Sequence, residues 1–203
     1  SQADINLGSV TLTLTAIGVS PCPDVSDNMV LTIIPQATVD AGPPASICAG
    51  DSHPLTGTSS SNNTGVSWAS SGTGSFTWAA PIATYHPSQA DINLGSVTLT
   101  VTAAGIIPCP DVSDNMVLTI IPQATANAGS TDTICAGDSY PLNGSAANNS
   151  GVSWISSGTG SFTGANTLTP TYHPSQADIN LGSVTLTVTA IGVRPCPDVS
   201  DNM

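Results

Sequence analysis

The sequence repeats itself every 87 residues, and this period constrains the fold more tightly than composition does. Ser1-Gln-Ala-Asp-Ile-Asn-Leu-Gly-Ser-Val-Thr-Leu-Thr13 returns at Ser88 and again at Ser175. Residues 1–38 and 88–125 differ only at Leu14/Val101, Ile17/Ala104, Val19/Ile106 and Ser20/Ile107. The chain must therefore fold in near-identical units stacked in tandem. In phase, it reads as the C-terminal half of one repeat (1–37), a whole repeat (38–124) and a nearly whole one (125–203). Met203 falls at the phase of Met29, so both ends lie inside a unit. We expect a longer parent array, or a polymer in which a neighbouring copy completes the first fragment. That fragment carries apolar strands without a partner sheet, an arrangement prone to aggregation.

Within a unit, the period is that of a strand. Val97-Thr-Leu-Thr-Val-Thr-Ala103 alternates strictly, placing Val97, Leu99, Val101 and Ala103 on one face and three threonines on the other. Helix formers are nearly absent and no stretch shows a 3.6-residue period, so the chain reads as all-β. In the central unit, Ala45–Cys48 reads as a first strand, Ala49–Ser52 as a turn and Pro54–Gly57 as part of a second strand. Asn62–Gly65 reads as a loop, Val66–Trp68 as a third strand, Ser71–Gly74 as a turn, and Asp91–Gly95 as a turn into the alternating strand. Seven short strands with turn signals every 8 to 12 residues are the signature of a β-sandwich.

Composition excludes whole classes of partner. Charged residues make up 7 per cent, against about 25 per cent in ordinary soluble proteins. The net charge is -12, with a single Arg194 and no Lys, so there is no basic surface to neutralise phosphates and no nucleic-acid partner is expected. No run approaches the ~18 apolar residues of a membrane-spanning helix, so no membrane insertion is expected from this segment. Arg194, followed by Pro195, is the only tryptic position.

Ile134-Cys-Ala-Gly-Asp-Ser139, Val152-Ser-Trp154, Gly158-Thr-Gly-Ser-Phe162, Thr169-Pro-Thr-Tyr172 and Val184-Thr-Leu-Thr-Val-Thr189 resemble the PKD-like and immunoglobulin-like tandem repeats of secreted, adhesin-like Bacteroidota surface proteins. The resemblance covers the whole unit. It implies tandem seven-stranded immunoglobulin-like (PKD-like) β-sandwiches, an extracellular location at a bacterial cell surface and no catalytic residue. It also implies a structural part in a fibre, stalk or adhesin shaft whose partners are neighbouring copies of itself. A glycan- or surface-binding module of a large adhesin is the alternative.

Five cysteines occupy two positions of the unit: Cys48 and Cys135 before the first turn, and Cys22, Cys109 and Cys196 in the last hairpin loop. In an extracellular array they read as disulfides. Pairing within units would join Cys48 to Cys109 and Cys135 to Cys196. Strand geometry favours another arrangement. A seven-residue strand separates the two ends of a sandwich by about 23 Å, whereas disulfide Cα atoms lie within about 7 Å. Pairing between units would join Cys48 to Cys196.

Asp51, Asp91, Asp198 and Asp201 fall where successive units should abut, and converging carboxylates make them candidate calcium ligands; no other cofactor is expected. His86 and His173 are equivalent copies in Tyr-His-Pro, while His53 is replaced by Tyr140, which does not suit a catalytic base. Trp68 and Trp154 read as core residues. Trp78, replaced by Gly164, is the candidate sugar-stacking side chain.

Overall fold

The structure is a computed structural model that describes residues 1–56, 59–79 and 82–203. Gly57, expected at the end of a strand, lies outside the described residues. The first repeat fragment holds helix α1 (Gln2–Leu7) and the hairpin β1 (Ser9–Ala16) and β2 (Val25–Thr32). The second repeat begins with β3 (Thr38–Asp40), β4 (Ala45–Cys48), β5 (His53–Pro54), β6 (Ser59–Ser61) and β7 (Asn63–Ser70). It continues with β8 (Ser75–Ala79), β9 (Ile82–His86), α2 (Gln89–Leu94), β10 (Ser96–Gly105) and β11 (Val112–Ile121). The third holds β12 (Thr125–Asn127), β13 (Tyr140–Pro141), β14 (Ser145–Ala147) and β15 (Asn149–Ser156). After them come β16 (Ser161–Thr163), β17 (Thr171–His173), α3 (Gln176–Leu181), β18 (Leu186–Gly192) and β19 (Val199–Asn202).

The chain is all-β, and its long strands are the alternating ones. Val97, Leu99, Val101 and Ala103 are buried on one face of β10 while the threonines between them are half-exposed. Strand β10 pairs antiparallel with β7, setting Val101 opposite Trp68, and β4 runs parallel to β11, setting Ile121 opposite Cys48. The sheet order is β4-β11-β10-β7, and a three-stranded sheet β5-β9-β8 accompanies it. The third repeat has a sheet β15-β18-β19 and a second one β13-β17-β16.

Two local readings are corrected. Asp91–Gly95 is the end of a six-residue helix, closed by Gly95 at φ 78°, and the same helix recurs at 2–7 and 176–181. A helix this short shows no 3.6-residue period. Its start was nonetheless written in the sequence as a capping box, Ser88-x-x-Asp91. Asn62–Gly65 is not a loop. Asn62 alone turns the chain, at φ 52°, and β7 starts at Asn63.

By internal packing the residues form two compact units. One comprises Ser1–Pro43, Leu55–Ser70 and Thr98–Met116; the other comprises Pro44–Pro54, Ser71–Val97 and Val117–Met203. In the second unit Ala128, Leu142, Trp154, Tyr172, Leu186 and Val188 form a core, against which Tyr140, Val152 and Phe162 pack. The first unit contains β1 and β2, whose register is regular from Ser9↔Thr32 to Ala16↔Val25. The side chains of this hairpin nevertheless remain exposed, apart from half-buried Val10.

Candidate functional site

Two features recur with the repeat and concentrate its polar chemistry: an aspartate buried at a helix start, and the cysteine pair. Asp91 is fully buried. Its Oδ2 accepts the Tyr85 hydroxyl at 2.8 Å and the Ser88 N–H at 2.9 Å, and its Oδ1 accepts the Thr73 N–H at 2.9 Å. The Asp91 N–H in turn donates to Ser88 Oγ at 3.2 Å. Asp178 repeats the arrangement with Tyr172 at 2.8 Å, Ser175 at 2.8 Å and Thr159 at 2.9 Å. The three donors tie a turn, a strand and a helix to one carboxylate. The glycines of Ser71-Gly-Thr-Gly74 make room for it. A Cβ on Gly72 would run into the Asp91 carboxylate and one on Gly74 into the Tyr85 hydroxyl, with Gly158 and Gly160 placed alike in the next copy.

These contacts set the charge state. Burial works to raise the Asp91 pKa, but the N–H groups of Ser88 and Thr73 and the hydroxyls of Tyr85 and Ser88 outweigh it, so the pKa is lowered. For Asp178 the Ser175 N–H is the leading cause of a stronger lowering, with the Thr159 N–H and the Tyr172 and Ser175 hydroxyls adding to it against burial. Burial pushes the Tyr172 phenol up.

The carboxylates named as calcium candidates each have a place. Asp91 holds the helix start, as above. Asp198 accepts the Gly192 N–H at 2.9 Å and closes the last hairpin loop, as Asp111 does for Gly105 and Asp24 for Gly18. Asp201 accepts the Ala128 N–H at 2.8 Å, as Asp114 accepts that of Ala41. Asp51 lies in the exposed turn after Cys48, its N–H donating to the Cys48 carbonyl at 3.0 Å. Among the described residues, no three His, Cys, Asp or Glu side chains gather into a group that could hold a metal ion.

His86 and His173 act as clasps. His86 sits between Ser52 Oγ, 2.8 Å from Nδ1, and Thr77 Oγ1, 2.8 Å from Nε2. His173 sits likewise between Ser139 Oγ at 2.7 Å and Thr163 Oγ1 at 2.9 Å. A serine against an imidazole has the spacing of a nucleophile and its base, but the far ring nitrogen meets a hydroxyl where a triad places a carboxylate. Trp154 is 3% exposed, Trp68 is half-buried and Trp78 is 58% exposed. Trp78 stands on β8 opposite Ala83.

Cys48 is bonded to Cys196 across 148 residues, with the Cα atoms 4.8 Å apart. Cys109 and Cys135, which the within-unit alternative would have used, are free thiols, as is Cys22. Sequence reasoning placed the cysteines but missed the Tyr85–Asp91 and Tyr172–Asp178 pairs and the histidine clasps. The capping box was the available signal for the former. Nothing in the sequence signals a serine and a threonine 24 or 25 residues apart meeting across one imidazole.

No protein-family model matches the chain, and no curated protein matches it. Among solved structures it is similar to the N-terminal eight Ig domains of the Down Syndrome Cell Adhesion Molecule, with a TM-score of 0.60 and 10% identity over 97% of this chain. It spans 30% of that structure. It is also similar to a three-Ig titin structure (TM-score 0.48, 14% identity, 82% of this chain and 63% of that one). A third likeness is to cadherin domains 3–6 of protocadherin gamma B2 (TM-score 0.42, 13% identity, 98% of this chain and 58% of that one). At these identities a likeness shows the fold alone, and the first of them shows this chain to be built of immunoglobulin-like β-sandwiches.

Proposed function

We propose that this chain is the repeat region of an extracellular bacterial fibre, stalk or adhesin shaft, of the PKD-like kind, in which disulfides lace one repeat to the next. The observation that carries this reading is the Cys48–Cys196 bond. Its two ends belong to consecutive 87-residue repeats. A covalent link across a repeat boundary shields everything between its ends from tension along the chain. Oxidised cysteines fit an extracellular compartment, and the absence of lysine and scarcity of arginine suit a surface exposed to proteases. No catalysis enters this reading, and the partners are further copies of the repeat.

Pulling single molecules from both termini tests it. With the bond intact, the residues between Cys48 and Cys196 cannot extend, so reduction should lengthen the fully stretched chain by roughly 500 Å, given ~3.3–3.6 Å per extended residue. Equal extension before and after reduction would remove the lacing role. A second reading, a glycan-binding module, is favoured by one observation, the exposure of Trp78. Binding on a glycan array that vanishes in Trp78→Ala would support it over the shaft.

A further inference from the structure

Strands β7, β10 and β11 hold one charged residue, Asp114, and β15, β18 and β19 hold one, Asp201. Alternation sends both to the side that packs on the rest of the sandwich. There Asp114 accepts the Ala41 N–H and Asp201 that of Ala128. The opposite side of these strands is left without a charge, in a chain whose net charge is -12. In the second repeat it presents Thr100 with Ala69 opposite it and Thr102 with Ser67 opposite it. In the third it presents Thr187 opposite Ile155 and Thr189 opposite Ser153, with Ile191 near the end of the strand. Ile155 is 62% exposed and Ile191 41%. The face recurs with the repeat.

The hydroxyls of this face are already matched to one another. Thr102 Oγ1 lies 2.8 Å from Ser113 Oγ, and Thr189 Oγ1 lies 2.8 Å from Ser200 Oγ, each pair bridging neighbouring strands. A polar group that keeps its hydrogen bond is cheap to bury, whereas an unmatched one is not. The face can therefore be covered without new polar partners. A sugar would meet hydroxyls engaged with each other, and no aromatic side chain on which to stack.

We propose that this charge-free face is where a second copy of the chain packs side by side with the first, sheet on sheet. Charge selects the occupant. A second copy brings its own net charge of -12, and like charges set against each other are strongly penalised, so two copies approach closely only where neither carries a carboxylate. A cationic partner would be drawn to the aspartate-bearing turns instead. The contact is isologous, the same face on both partners, with side chains interdigitating between sheets about 10 Å apart. Ile155 and Ile191 supply apolar area to bury. A three-stranded face seven residues long covers roughly 300 Å², against about 800 Å² per partner in a stable complex. Pairing through one repeat is accordingly weak, and a shaft gains strength from the number of repeats it engages. The pairing rests on the shaft reading for its purpose, which is to bundle shafts laterally.

Sedimentation of the 203-residue chain at rising concentration tests the pairing, with the free thiols alkylated so that no new disulfide forms. Dimers should accumulate with concentration and with added salt, because salt screens the repulsion between copies while the contact itself contains no charge. Thr100→Asp/Thr187→Asp should return the chain to monomer. Ser75→Asp/Ser161→Asp adds the same charge at exposed positions of the other sheet of each repeat and should leave dimerisation unchanged. Ile155→Ser, at an exposed position, should weaken pairing with unchanged far-UV circular dichroism, and it decides the matter if the double aspartate variant fails to fold. A monomer at every concentration, dimers that dissociate in salt, or dimers indifferent to both Thr100→Asp/Thr187→Asp and Ile155→Ser would each overturn the proposal. So would binding on a glycan array that these substitutions abolish, since the face would then belong to a sugar. None of these results moves the single-molecule extension on which the shaft reading stands.

Discussion

At the scale of single residues, the chain concentrates its stability in a few polar groups that it buries and then satisfies. Asp91 is the clearest case, since removing its carboxylate takes away the acceptor half of the capping box at Ser88 and leaves the part-buried Thr73 N–H without its acceptor. A lost cap costs about 1 kcal/mol and an unsatisfied buried donor about 1–3 kcal/mol. Asp91→Ala should therefore destabilise by about 2–4 kcal/mol in urea unfolding, and a loss below about 0.5 kcal/mol would show that the cluster is ornamental. The same aspartates give the protein an acid edge. Their folded pKa values lie below the ordinary 3.8, so in acid the unfolded chain binds protons that the folded one refuses. The stability they contribute is present above that value and is lost as pH falls through and below it. Tryptophan fluorescence followed from pH 7 downward should show a melting temperature that declines once pH passes below about 4. Asp91→Asn/Asp178→Asn, less stable at neutral pH, should show a shallower decline.

At the scale of elements, one sequence is found in two environments, and that makes an internal control. Strand β1 and the first eight residues of β10 differ only at Leu14/Val101. Leu12 is 45% exposed whereas Leu99 is fully buried. Local opening free energy follows burial and packing more closely than strand propensity. Amide exchange in dilute solution should therefore be fast from Val10 to Thr15 and slow from Val97 to Thr102, and equal protection would mean that propensity alone holds these strands. The contrast also explains what was legible in the sequence. The alternation of Val97, Leu99, Val101 and Ala103 announced the strand and its buried face, but nothing in it says whether a partner covers that face, since β1 carries the same pattern uncovered. The two- and three-residue ladders, such as Thr38–Asp40 with Ser59–Ser61, are too short to alternate. The helices were readable only from their ends, Ser88-x-x-Asp91 and Gly95, because six residues complete fewer than two turns. The Tyr85–Asp91 pair was illegible for a different reason: it exists only because a strand turns into a helix and folds two residues six apart onto each other.

At the scale of the whole molecule, the repeat and the disulfide act on different states. The 87-residue period specifies how each folded unit is built, whereas the Cys48–Cys196 bond acts largely on the unfolded chain by closing a 148-residue loop. In the chain-entropy view a loop of this length is worth about 5 kcal/mol, at the upper end of what disulfides deliver. That is comparable with the entire stability of many domains. For a chain of this size each kcal/mol moves the melting temperature by about 2–4 °C, so reduction should lower it by roughly 10–20 °C. Cys48→Ser/Cys196→Ser should reproduce the fall without reductant. Cys22→Ser, which removes an exposed free thiol, should leave the melting temperature unchanged, which separates loop closure from any general effect of losing a cysteine. A melting temperature indifferent to reductant would mean that the two repeats are held together by packing alone. The covalent link would then add nothing to equilibrium stability, and its remaining use would be to limit extension under load.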